Sequence, residues 1–118
     1  MRSLKVCKKL GLTPINLALM HDFVNFCADS LPITGNFDVN VVSVRGEENG
    51  IRMTAAYFVG QNKVVVFAKN RALVDVLRSI AHEMTHMAQM LEGRIEFPVQ
   101  DIGGHIENEA NAKAGELI

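Results

Sequence analysis

Apolar and polar positions along the chain fall into three successive patterns. From Thr13 onward, Leu17, Met20, Val24, Cys27 and Leu31 recur every three or four residues, which predicts a helix with one apolar stripe. Thr13 is suited to cap it and Pro14 to stand first in it, where no amide donor is needed. Pro32 disfavours helical backbone at the residue before it and closes the segment.

The period then changes from three-to-four to two. Phe37, Val39 and Val41 alternate with Asp38 and Asn40, and the run continues through Val42 and Val44 as a strand with an irregularity near its end. Gly46 to Gly50 reads as a polar turn. Met53 to Val59 and Lys63 to Ala68 read as two strands joined by the short loop Gly60-Gln61-Asn62. The expectation is a small three-stranded antiparallel sheet.

Beyond Asn70 the helical period returns. Leu73, Leu77, Ile80, Ala81, Met84, Ala88 and Leu91 share one broad face, and Gly93 ends the segment. A loop containing Pro98, Gly103 and Gly104 leads to a last helix from about Ile106 to Leu117. The predicted architecture is α+β: an N-terminal helix, the sheet, then two helices.

Composition narrows the partners. At 118 residues the chain reads as one domain, 1–118, large enough for a single core. Its net charge is −1 with basic residues dispersed, so bulk electrostatics argue against nucleic acid or an anionic membrane as partner. The locally basic start, Arg2, Lys5, Lys8 and Lys9, reads as a solvated helix face. Lys8, Lys9 and Asn16 interrupt any secretory-type apolar stretch, and no apolar run is long enough to cross a bilayer. Cys7 and Cys27 make no disulfide framework and read as core thiols. A reducing cytoplasm is the expected location.

The chemistry concentrates in His82-Glu83-Met84-Thr85-His86, an HExxH spelling inside the strongest helical pattern. Residues four apart lie on one helix face, so His82 and His86 are placed to bind one tetrahedral Zn²⁺ through ring nitrogen. Glu83 points beside such a metal and is placed to take a proton from its water.

A catalytic zinc usually keeps three protein ligands and an open position. In the last helix, Glu107, Ala110, Asn111 and Ala114 share a face, and the small alanines allow close approach to another helix. Asn111 is placed to accept the second ring N–H of a ligating histidine. Glu109 points about 160° from Glu107 on a regular helix and competes for the third-ligand role. His105 competes as well, or serves catalysis by donating a hydrogen bond to a developing oxyanion. Tyr57 is expected to be structural, and His21 an incidental surface or core-edge histidine.

These residues resemble the gluzincin metallopeptidases, which combine HExxH with a glutamate on a following helix. The pattern HExxH…ExxA[N/D] matches His82-Glu83-x-x-His86 and Glu107-x-x-Ala110-Asn111. Strand, turn, strand and HExxH helix also follow one another as in ImmA/IrrE-type peptidases. There, Val64-Val65-Val66-Phe67 and the region from Arg71 to His86 correspond to the last strand and the active-site helix. Leu77 to Glu83, with Glu107 to Gly115, is similar to small HExxH proteins encoded by bacteriophages, which implies the cytoplasm of a bacterium or a phage-infected host cell as its setting. The resemblance spans roughly residues 53 to 115 and is specific at the motifs.

It implies a minimal zincin-like domain with Zn²⁺ as cofactor. His82, His86 and Glu107 are then ligands, Glu83 the general base, and Asn111 a support to a ligand. The implied activity is a zinc-dependent hydrolase, a small metallopeptidase acting on a peptide or protein. The alternative is a catalytically inactive zinc-binding regulatory or protein-interaction module.

Overall fold

The structure is a computed structural model, described here for residues 2–43, 54–58, 60–92 and 105–118, with side chains in the last helix from 108 onward. Strand β1 is Arg2–Val6, helix α1 Pro14–Ser30, β2 Phe37–Val42, β3 Ala55–Phe58, β4 Lys63–Phe67, α2 Leu73–Leu91 and α3 His105–Leu117. The expected turn at Gly46–Gly50, the stop at Gly93, the loop through Pro98, Gly103 and Gly104, and the strand ends at Val44, Met53 and Val59 lie outside the described residues.

Helix α1 starts where the sequence indicates: the Thr13 hydroxyl accepts from the Asn16 amide at 3.2 Å, and Pro14 is the first helical residue. Met20, Val24, Cys27 and Ala28 form its buried stripe, and His21 is exposed. Helix α2 spans the expected segment, although Leu91 is exposed and Val76 and Met87 are buried in addition to the expected residues.

The sheet differs from expectation. It has four strands in the order β1-β2-β4-β3, with β1–β2 and β2–β4 parallel and only β3–β4 antiparallel. The start of the chain is a strand rather than a solvated helix face. Leu4 and Val6 alternate with Ser3 and Lys5, and they pair in register with Val39 and Val41 of β2. Two apolar residues in five make a weak local signal, which becomes a strand only against its partner. Helix α1 then carries the chain back, as a crossover between parallel strands requires. Strand β3 takes the outer position of its hairpin with β4, so β4 falls beside β2 and runs parallel to it.

Hairpin closure uses Gly60 (φ 83°) and Asn62 (φ 48°), residue types that tolerate left-handed backbone. Phe37, Val39 and Val41 of β2 and Val64 and Val66 of β4 join α1 and α2 in one core. Helix α3 packs chiefly on α2. With the sheet, α1 and α3 around it, α2 buries every side chain from Ile80 to Gln89 except that of His82, which is partly exposed. No helix among the described residues is long and apolar enough to cross a membrane.

Candidate functional site

Burial makes α2 unusual. Among the described residues the buried polar and charged side chains are Glu83, Thr85, His86 and Gln89, all on this one helix. Desolvating such groups costs free energy unless partners satisfy them. Thr85 is satisfied locally, its hydroxyl donating to the Ala81 carbonyl at 2.8 Å. The other three belong to the constellation around the HExxH spelling.

The helical repeat sets His82 and His86 one turn apart, their ring centroids 4.8 Å from each other and their planes at 83°. One potential ligand atom from each of His82, Glu83 and His86 lies within 4.8 Å of the other two. Zinc at about 2.1 Å from its ligands needs donors roughly 3.4 Å apart, so small side-chain rotations bring two imidazoles onto one ion. The donor set, two neutral nitrogen bases with a carboxylate beside them, fits Zn²⁺. Among the described residues this is the one cluster of its kind.

His82 and Glu83 line a cavity of about 380 Å³, whose other walls include Thr54 and Ala55 at the start of β3, Ser79 of α2 and Asn111 of α3. Arg71, before α2, also borders it and is pinned by donating to the Phe67 carbonyl (2.8 Å), the Asp75 carbonyl (3.1 Å) and the Ser79 hydroxyl (2.7 Å). The cavity is thus walled by an edge strand, the motif helix and the last helix. That edge strand is β3, the outermost strand of the order β1-β2-β4-β3.

His86 is 8% exposed, and its Nδ1 lies 2.8 Å from the Gln89 side-chain oxygen. Gln89 is fully buried, and its amide nitrogen donates to the Glu109 carboxylate of α3 at 3.0 Å. The sequence reading offered Asn111 as the acceptor for a ligating histidine. For His86 the structure places Gln89 there instead, because three residues along the same helix is nearer than any residue of α3 needs to be. Asn111 is exposed and turned to the cavity. Gln89 and Arg71 were missed in sequence; the i,i+3 spacing from His86 was the signal available for Gln89.

The remaining candidates divide as follows. Glu107 and His105 lie in α3, His105 as its first residue, but their side chains are outside the described residues. Position 107 is three and seven residues before Ala110 and Ala114, which are both buried in a helix packed on α2. Glu109 reaches Gln89. Tyr57 packs against the core rather than lining the cavity with His82; burial raises its pKa, and its hydroxyl has no hydrogen-bond partner among the described residues. Cys27 is a core thiol as expected, pushed up to about 12 by burial, whereas Cys7 is half-buried and its pKa is lowered, chiefly by the Ser43 hydroxyl 3.4 Å away.

Comparison with known proteins finds no matching family model, no similar curated protein and no similar solved structure.

Proposed function

We propose that the chain is a small zinc-dependent hydrolase, a minimal metallopeptidase of gluzincin type. The observation that carries the reading is the convergence of His82, Glu83 and His86 on a nearly buried turn of α2 that opens into a cavity beside a sheet edge. Burying Glu83 and His86 beside a partly exposed His82 is costly and contributes little to packing, which favours a chemical role.

His82 and His86 would hold Zn²⁺ through ring nitrogen, with Glu107 as third ligand. The bound ion supplies a Lewis acid that acidifies water and polarises a carbonyl oxygen. Glu83, at the cavity wall, accepts the proton of the attacking water and returns it to the leaving amine. An extended peptide fits alongside β3, bonding through its backbone to that outermost strand and bringing one carbonyl over the cavity. Glu83 also separates this reading from a zinc-binding interaction module, which needs the ligands but no base.

The test is zinc content by mass spectrometry of wild type, Glu107→Ala and Glu109→Ala at saturating metal. One zinc per chain, retained in Glu109→Ala and lost in Glu107→Ala, is the expected result. No zinc in the wild type after resupply would overturn the proposal.

A further inference from the structure

The arrangement behind His86 has a direction that the proposed zinc site would need. A carboxylate only accepts hydrogen bonds, so Glu109 obliges Gln89 to present its NH₂ end to α3. The Gln89 amide is planar, and its oxygen therefore faces His86 at 2.8 Å. An oxygen in that place only accepts, so the proton of a neutral His86 ring must sit on Nδ1, leaving the lone pair on Nε2. Full burial of Gln89 removes water as a competing partner. Without Glu109 the amide could turn over, offer NH₂ to Nδ1 and move the ring proton to Nε2, where it would compete with a metal and weaken its binding without abolishing it at saturating metal.

We propose that Glu109 and Gln89 form a polarity lock that fixes the tautomer of His86, making both positioning residues for the zinc site. This rests on the hydrolase reading for its purpose but not for its geometry. It also gives α3 a task beyond supplying a ligand: Glu109 sits two residues after Glu107, so docking of one short segment sets both a ligand position and the state of another ligand.

The decisive measurement is the imidazole ¹⁵N spectrum of the metal-free protein at a pH where His86 is neutral, combined with zinc affinity by chelator competition. Wild type should show a single Nδ1–H tautomer for His86. Glu109→Gln keeps the size but lets an amide offer either end, so a second tautomer should appear. Gln89→Leu, which removes the acceptor, should weaken zinc binding by about 10–100-fold. The double variant Gln89→Glu/Glu109→Gln conserves net charge and reverses the pair, since the carboxylate introduced on α2 would accept both from His86 and from the new amide on α3. It should restore the single tautomer and bring affinity back to within a few-fold of wild type, a rescue that loss of packing alone would not produce. A proton on Nε2 in the wild type, or a double variant no better than Gln89→Leu, would overturn the lock. A wild type that binds no zinc yet shows Nδ1–H would overturn the hydrolase reading and leave the lock supported.

Discussion

Helices α1 and α2 lie against the same sheet, are of similar length and each carry histidine, yet they bury different things. α1 buries Met20, Val24, Cys27 and Ala28 and leaves His21 in solvent. α2 buries an apolar stripe as well, but adds Glu83, Thr85, His86 and Gln89. The difference arises from packing. α1 has one covered side, so its polar residues stay wet, whereas α2 is also covered by α3 and encloses polar groups at a desolvation cost. Two helices on one sheet are thus separated by where they conceal polarity, and the chemical role we propose belongs to the second.

Removing chemistry from α2 should give the largest effect. Glu83→Gln is expected to lower peptide hydrolysis by roughly 10²–10⁴-fold while zinc stays bound. Turnover assays with parallel metal analysis check this; undiminished hydrolysis would erase the functional distinction between the helices. Next come matched truncations of the two buried methionines, Met20 on α1 and Met84 on α2. Each change to Ala should cost about 2–5 kcal/mol of stability, but only Met84→Ala should also weaken zinc binding, because it loosens the helix that bears the ligands. Denaturant unfolding and a zinc titration separate the two outcomes.

A smaller effect belongs to α1 alone and depends on pH. Burial raises the Cys27 thiol from the ordinary 9.0 to about 12. Because the folded state holds this proton more tightly, the stability it contributes is complete below pH 9 and is lost as pH rises from 9 through about 12. Stability should therefore fall more steeply above pH 9 in wild type than in Cys27→Ala, as urea unfolding at several pH values would show. His21→Ala should be the quietest change, within about 0.5 kcal/mol and without effect on zinc, since its side chain is exposed. A loss of metal on that substitution would show that α1 also contributes to the site.

Legibility in the sequence followed the range of the interaction. The start of α1 at Thr13-Pro14 and the stripe through Cys27 depend on neighbours within a turn, and they came out as read. Strand β1 did not, because Leu4 and Val6 signal little until β2 is beside them. The antiparallel expectation failed for a related reason: strands consecutive in sequence need not be neighbours, and β4 rather than β3 lies next to β2. In the candidate site, the grouping of His82, Glu83 and His86 was legible from spacing alone, whereas the link from His86 through Gln89 to Glu109 was not.

What the sequence determined by itself is therefore the helices and the motif that one of them carries. Helical geometry holds residues three and four apart on one face whatever surrounds them, so the grouping of two imidazoles and a carboxylate needs no tertiary information. Only the tertiary structure decided the strand order, the edge position of β3 beside the cavity, and the meeting of Glu109 with Gln89. Those depend on which apolar surfaces, distant along the chain, cover one another, and on the rotation of α3 about its own axis that buries Ala110 and Ala114 against α2.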